Sequence, residues 1–480
     1  MLDPADWERF RRTAHEALDD AIDSMRDVRD GPVWQAVPAP VKEALRAPMP
    51  QAPSAFEDVY AEYKTAIAPY AGGNVHPRFW GWVHGSGTAG GAIAELLAAA
   101  LNANTGGRDH GAIYVERQVI RWFCDLFGWP QTASGVLLTG TSAANAAAVL
   151  VARTKARAQV RERGLDQSAE KLTGYASSAT HACVRKAFEN AGLGSQALRV
   201  LPVDGALRLD TAALREAIAA DRREGCVPFF VVANAGTVDT AAIDPLEQIA
   251  GICAQEGLWF HVDGAFGATA YLSQVLRPLL RGIECADSIA FDFHKWLHVP
   301  YDAGCVLVRD GAIHRATFAS EGPYITRTAR GLAAGEPWFT DFGPDLSRGF
   351  RALKVWFTIK EHGTAALASA MERNCAQAQL LANLVERSAD FELAAPPVLQ
   401  IVCLRPRLPA TPAEQADRLT DEAVIRLQES GIAVLSATTL GGRRAMRVCI
   451  TNHRTRDEDL HLLMETLARI VEELRSTPTV

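Results

Sequence analysis

Between residues 71 and 365, short apolar runs alternate with helical patterns, and few architectures accommodate that alternation. Gly135-Val-Leu-Leu-Thr139 precedes an Ala-rich helix. Pro228-Phe-Phe-Val-Val-Ala233 precedes a helical stretch from Ile243 to Glu256, and Leu258-Trp-Phe-His-Val262 follows it. This order predicts a mostly parallel sheet with helices on both faces. Residues 1–70 read differently, as helices around a connection rich in proline (Pro32, Pro38, Pro40, Pro48, Pro50, Pro53). That arm is too broken to have its own core and is expected to pack on something else, a second subunit included. Residues 366–480, with strand candidates Leu399–Leu404 and Met446–Ile450 and a helix near Asp457–Arg475, read as a small α/β domain.

Bulk properties narrow the function. At 480 residues and 48% hydrophobic, the chain exceeds one domain and can bury a large core. Its 49 basic and 56 acidic side chains leave no electrostatic footprint for nucleic acid or an anionic membrane, which points to a small-molecule partner. Nine scattered cysteines without CxxC pairs fit a reducing cytoplasm. The N-terminus shows no apolar segment of signal-peptide length, and the Ala-rich stretch from Ala92 to Ala103 is broken by Glu95 and Asn102, so no membrane span is expected.

The run from Ala286 to Trp296 delivers Lys295, directly after His294, at the end of a strand-like segment. A partly desolvated amine there would have its pKa pulled down and become nucleophilic, although a surface lysine at a strand end is the plainer alternative. Asp263 ends the strand Trp259–Val262 and is followed by Gly264 and Ala265, so its carboxylate should enter the crevice at the carboxyl edge of the sheet, where α/β sheets bind ligands. It could equally cap a turn. Gly140, Thr141 and Ser142 follow a strand and open a helix, which collects backbone N–H groups, two hydroxyls and a positive dipole end into a phosphate cradle or an ordinary cap. The flat ring of His181 could lie over a conjugated ligand. Together these are the parts that pyridoxal phosphate requires: an amine, an acid for the ring nitrogen, a cradle for the phosphate and a cover for the ring. His76, His261 and His294 show no zinc-ligand spacing, and no metal is expected.

The ordered set of motifs resembles the group II pyridoxal-phosphate decarboxylases, the family of aromatic L-amino acid, animal-type histidine and glutamate decarboxylases. The similar stretches are His76-Pro-Arg-Phe-Trp-Gly-Trp82, Gly140 to Asn145, Ala179-Thr-His181, Asn234 to Val238, His261 to Ala265, Asp292-Phe-His-Lys-Trp296 and Arg351 to Trp356. The resemblance implies fold type I, the aspartate aminotransferase architecture: a large domain with a mostly parallel seven-stranded sheet, a small C-terminal α/β domain and an N-terminal helical arm. It implies decarboxylation of an L-amino acid by a homodimer with shared active sites.

By the same resemblance, Lys295 is the Schiff-base lysine, Asp263 the partner of the pyridine nitrogen and His181 the stacking residue. Gly140, Thr141 and Ser142 face the phosphate, Thr237, Ala265 and His294 surround the cofactor, and Arg348 is a cross-subunit phosphate contact. Tyr324 falls in a mobile loop whose tyrosine protonates the substrate carbon after carbon dioxide leaves. With His181 it favours decarboxylation over the aldehyde synthases, in which phenylalanine replaces that tyrosine. The chain departs from the family pattern at Ala143, Gly264 and Phe266, none of them a catalytic group. Trp80 and Trp82 suit an aromatic substrate, whereas Asn102, Asn104, Arg108 and His110 leave a polar or acidic side chain open. An aldehyde synthase, an aminotransferase-like enzyme and a catalytically silent scaffold are the alternatives.

Overall fold

Seven strands of four to eight residues, nearly all of their side chains buried, make the larger sheet: β1 (Ser134–Leu138), β2 (Leu172–Ser177), β3 (Leu198–Leu201), β4 (Val227–Asn234), β5 (Trp259–Asp263), β6 (Ser288–Asp292) and β7 (Gly304–Val308). Burial on both faces explains why these runs are apolar throughout. The computed structural model describes residues 2–165, 171–320, 322–409 and 411–476. The strand order is β1-β7-β6-β5-β4-β2-β3, with β7 antiparallel to both neighbours and every other pairing parallel. Register pairs Asn234 with Asp263 and Asp263 with Ala290, so the carboxyl ends of β4, β5 and β6 lie side by side.

The chain divides into two units. One comprises residues 85–376 with 397–401 and contains the seven-stranded sheet; the other comprises residues up to 84, 377–396 and those from 402 onward. The expected boundaries near 70 and 365 therefore shift to 84 and 376, and the N-terminal arm joins the C-terminal segment instead of standing apart. The cause is local pairing within the second unit. The backbone N–H of Trp80 donates to Val434 at 2.6 Å, its carbonyl accepts from Cys449 at 2.9 Å, and Phe79 bridges to Val434. Trp80 itself is fully buried among Leu381, Val402, Leu435, Met446 and Leu463.

This second unit carries a four-stranded sheet, β8 (Phe391–Leu393), β9 (Ile401–Pro406), β10 (Ser436–Leu440) and β11 (Arg443–Cys449), in the order β10-β11-β9-β8. Its arm begins with a helix, Trp7–Arg26, capped by Asp6, whose carboxylate accepts from Glu8 and Arg9. Phe10 packs on Phe56 of the helix Phe56–Glu62 at 4.9 Å, yet Trp7, Ile22, Val59 and Ile67 stay exposed. A long helix runs from Ala352 to Arg387, interrupted at Gly363. Among the described residues, no helix is long and apolar enough to cross a membrane.

Candidate active site

Parallel strands deliver their carboxyl ends to one edge of the sheet, and Asp263, Asp292 and the helix start at Thr141 follow those ends. Beyond β1, Gly140 leads into the helix Thr141–Ala156. A Cβ added at Gly304, the first residue of β7, would lie 2.4 Å from the Gly140 Cα, so β7 and this turn can meet only because Gly304 has no side chain. A Cβ at Gly85 would likewise strike the carbonyl oxygens of His294 and Lys295, at 2.1 and 2.3 Å.

Asp292, the last residue of β6, organises one half of the site. Its Oδ1 accepts the Thr141 N–H at 2.7 Å, and its Oδ2 lies 3.0 Å from Lys295 Nζ and 3.6 Å from His294 Nε2. A carboxylate at a helix start is favoured by the dipole and by the unpaired N–H groups. His294 Nδ1 accepts the Ala303 N–H at 3.0 Å, which leaves the ring proton of neutral His294 on Nε2, toward Asp292; burial pulls its pKa down. Lys295 is thus held by an anion three residues before it, and about a fifth of its side chain is exposed. The sequence presented this amine as lying between an aromatic and a histidine. The fold adds the ion pair.

Asp263, the last residue of β5, organises the other half. Its Oδ2 accepts from Asn145 Nδ2 at 2.8 Å and its Oδ1 from the Ala265 N–H at 3.1 Å. Burial pushes its pKa up, while Asn145, the charge of Lys295, the Ala265 N–H and His181 pull it back. Asn145, one turn into the helix, also donates to Cys183 Sγ at 3.2 Å and meets His261 Nε2 at 2.8 Å. His181 caps the helix Ala182–Asn190, its Nδ1 accepting from Cys183, and its side chain is exposed. Asn234, which ends β4, steadies the turn before it by donating to Thr180 at 3.0 Å and to Asp244 at 2.8 Å.

Other expected residues fall out differently. Thr141 is buried and its hydroxyl has no partner among the described residues, whereas Ser142 is exposed and lies beside Cys183. Thr237 is buried and hydrogen-bonded to Thr240 at 3.1 Å, within its own turn. Tyr324 lies in the short turn Pro323–Ile325, and its side chain lies outside the described residues.

Arg348 is corrected. Its guanidinium is buried inside its own chain, donating to both Glu116 oxygens at 2.5 and 3.2 Å, to the Thr105 carbonyl at 2.8 Å and to the Leu137 carbonyl at 2.7 Å. The side chain is almost wholly buried, and its Nε, buried too, has no partner among the described residues. Trp80 is also corrected, because complete burial in the core of its own unit leaves no surface for a substrate. Trp82 is half-exposed and stacks with His84 at 5.7 Å. Asn104 uses its side-chain oxygen to shape its own loop, accepting from Gly106 at 2.9 Å and Arg348 at 3.0 Å, and Arg108 lies over the Trp338 ring at 4.4 Å.

Sequence reasoning quoted Asp292, Asn145 and His261 inside motifs and gave them no partners. Two signals were available: Asp292 precedes Lys295 by three residues, and His261 shares a strand face with Asp263. Among the described residues, no group of three or more His, Cys, Asp or Glu could hold a metal.

A mostly parallel α/β sheet whose edge presents a buried aspartate, a lysine and a helix start defines a fold type I pyridoxal-phosphate site. The comparisons agree. Residues 38–407 match the family model described as "Pyridoxal-dependent decarboxylase conserved domain". The aromatic-L-amino-acid decarboxylase of Bacillus atrophaeus is 31% identical over 472 residues, 97% of this chain and 96% of the relative. The phenylacetaldehyde synthase of Arabidopsis thaliana is 28% identical over 94% of this chain and 93% of its own. The crystal structure of Oryza sativa TDC with PLP and tryptamine superposes with a TM-score of 0.89 at 27% identity, covering 99% of this chain and all of that one. The chain belongs to the pyridoxal-dependent decarboxylase family and is a PLP-dependent amino acid carboxy-lyase.

The residues present fit the cofactor. A buried carboxylate held by neutral donors suits a protonated ring nitrogen, a lysine at the mouth of the site suits the aldehyde, and the unpartnered Thr141 hydroxyl at a helix start suits a phosphate oxygen.

Proposed function

We propose that this chain decarboxylates an aromatic L-amino acid to its amine, with Lys295 and Asp263 as the central pair. The observation that carries this reading is the buried Asp263 carboxylate at the end of β5 with Lys295 three residues beyond the end of the neighbouring β6, near enough for its charge to bear on Asp263, and with a Thr141 hydroxyl that has no partner among the described residues. Lys295 would hold the cofactor by its amine and Asp263 would face the ring nitrogen. His181 would cover the ring, Gly140, Thr141, Ser142 and His294 would serve the phosphate, and Thr237 and Ala265 would line the cofactor. Bound PLP supplies an electron sink for the pair released as the carboxylate departs. Tyr324 would then deliver a proton to the α-carbon in place of the lost carbon dioxide.

The names of the Bacillus relative and of the tryptamine-bound structure support an aromatic substrate. So does the engagement of Asn104 and Arg108 in their own surroundings, which weakens the case for a polar or acidic side chain. Of the two tryptophans, only Trp82 retains surface for such a ring. The exposed apolar residues of the arm support a homodimer, and nine free thiols support a cytoplasmic setting.

The test is an aerobic screen of cofactor-loaded protein against the proteinogenic amino acids and dihydroxyphenylalanine, recording carbon dioxide, amine and peroxide together. Carbon dioxide with equal amine and no peroxide is expected, with an aromatic substrate turned over fastest. The Arabidopsis relative keeps aldehyde synthesis as a second reading, which peroxide with aldehyde would establish. Tyr324→Phe is expected to lower amine yield and raise peroxide; unchanged amine would remove Tyr324 from the reaction.

A further inference from the structure

Behind Asp263 runs a line of buried polar side chains in which each bond constrains the next. Trp259 Nε1 donates to Ser288 Oγ at 2.8 Å, and Ser288 Oγ lies 2.8 Å from His261 Nδ1. His261 Nε2 lies 2.8 Å from Asn145 Oδ1, and Asn145 Nδ2 lies 2.8 Å from Asp263 Oδ2. Ser288, His261 and Asn145 are wholly buried, and Trp259 and Asp263 nearly so.

An indole N–H can only donate. Ser288 therefore spends one lone pair on Trp259, and its own proton must go elsewhere. Among the described residues its other side-chain partner is His261 Nδ1, which accepts when Ser288 donates; the Ser288 backbone, also beside this ring, would favour a proton on Nδ1 and is the competing arrangement. An imidazole that accepts at Nδ1 and is neutral carries its proton on Nε2, so it donates to Asn145 Oδ1. Neutrality follows from burial, which pulls the pKa of His261 down to about 3. With its oxygen used, Asn145 turns both amide protons outward, one to Cys183 and one to Asp263. The opposite direction would place the Asn145 oxygen against a carboxylate oxygen, tolerable only with Asp263 protonated. It would also strand the Ser288 proton. The Ala265 N–H on Asp263 Oδ1 adds to the preference for the anion.

We propose that Trp259 sets the direction of this relay, so that His261 is held as its Nε2–H tautomer and every hydrogen bond is donated toward Asp263. Trp259, Ser288 and His261 are then positioning residues, acting on the Asp263 carboxylate through Asn145. Lys295 and His181 are the other groups whose charge bears on Asp263. Cys183 beside it stays a neutral thiol, since burial pushes its pKa up to about 11. The relay's effect on the cofactor rests on the proposed contact of Asp263 with the ring nitrogen: a carboxylate fed by donors from behind stays ionised and fixed in orientation for a cationic N–H in front.

The test uses the whole protein without cofactor, labelled with 15N-histidine and read by long-range 1H–15N correlation, with His261 assigned by its absence in His261→Gln. A single Nε2–H tautomer, unchanged from about pH 8 to about pH 5, is expected. An Nδ1–H tautomer, or an imidazolium in that range, would overturn the proposal. Trp259→Phe keeps an aromatic ring but removes the donor, and should give mixed tautomers and PLP affinity weaker by about fivefold to tenfold. Should that variant not fold, Ser288→Ala serves, with the same two changes expected and Ser288→Thr restoring both. An unchanged tautomer and an unchanged PLP dissociation constant in Ser288→Ala would refute the relay. Asp263→Asn separates the two readings. If it binds PLP as tightly as the parent while the parent shows the Nε2–H tautomer, the ring-nitrogen contact fails and the relay stands.

Discussion

Asp292 and Asp263 end adjacent strands of one sheet, are both buried, and are treated in opposite ways. Asp292 is surrounded by charge and dipole: the Lys295 ammonium, the first N–H of a helix and the His294 ring. Asp263 is met directly by a neutral amide and a backbone N–H, with a line of neutral groups behind. A carboxylate whose charge is already matched by its neighbours has little left for a ligand. One held only by neutral donors keeps its negative charge available to a cation from outside. On the proposed reading the two aspartates have separate tasks, Asp292 holding the lysine and Asp263 left to face the cofactor.

The largest effect should come from removing the cation. Lys295→Ala is expected to lower product formation at least about a thousandfold and to abolish the borohydride-reduced adduct between protein and cofactor. A reduced adduct that persists would place the covalent lysine elsewhere. Asp263→Ala comes next, with turnover lower by about a hundredfold or more and weakened PLP binding. If Asp292→Ala costs more than Asp263→Ala, the contrast has been drawn the wrong way round. Asp292→Asn keeps the shape and removes the charge, and about a tenfold loss in turnover is expected, with PLP affinity changed less than in Asp263→Ala.

The smallest effects sharpen the contrast by pH. Burial raises the pKa of Asp263 in the folded cofactor-free protein above its ordinary value of 3.8, so its ionised form costs stability at neutral pH, and that cost disappears as pH falls. Relative to Asp263→Asn, the parent should gain thermal stability on acidification. His261 acts in the other sense. Unfolded histidine takes up its proton below about 6.5, whereas folded His261 does so only near 3, so its contribution to stability is lost as pH falls between those values, by ~1.4 kcal/mol per pH unit. Removing His261 should flatten the acid limb of a melting-temperature profile, and an unchanged limb would contradict its neutral burial.

Much of this was legible in the sequence, and the reason the rest was not is specific. Alternating apolar and helical runs announced the sheet because strands buried on both faces need apolar residues throughout. Lys295 and Asp263 stood out because each follows such a run. Arg348 and Trp80 were misplaced because burial is a property of what lies opposite. Glu116 is 232 residues from Arg348, and the core that encloses Trp80 comes from the far end of the chain. The contact between Asn145 and Asp263 spans 118 residues, and only the strand order makes those positions neighbours.

The buried pair of Arg348 and Glu116 has a consequence beyond its displacement from the phosphate. β1 is a terminal strand of its sheet, and terminal strands expose unpaired backbone groups that recruit strands from other chains. At Leu137, Glu116 accepts the N–H at 3.0 Å and Arg348 donates to the carbonyl at 2.7 Å. Two charged side chains thus occupy both backbone groups of Leu137, and an eighth strand could not pair there without displacing a buried ion pair.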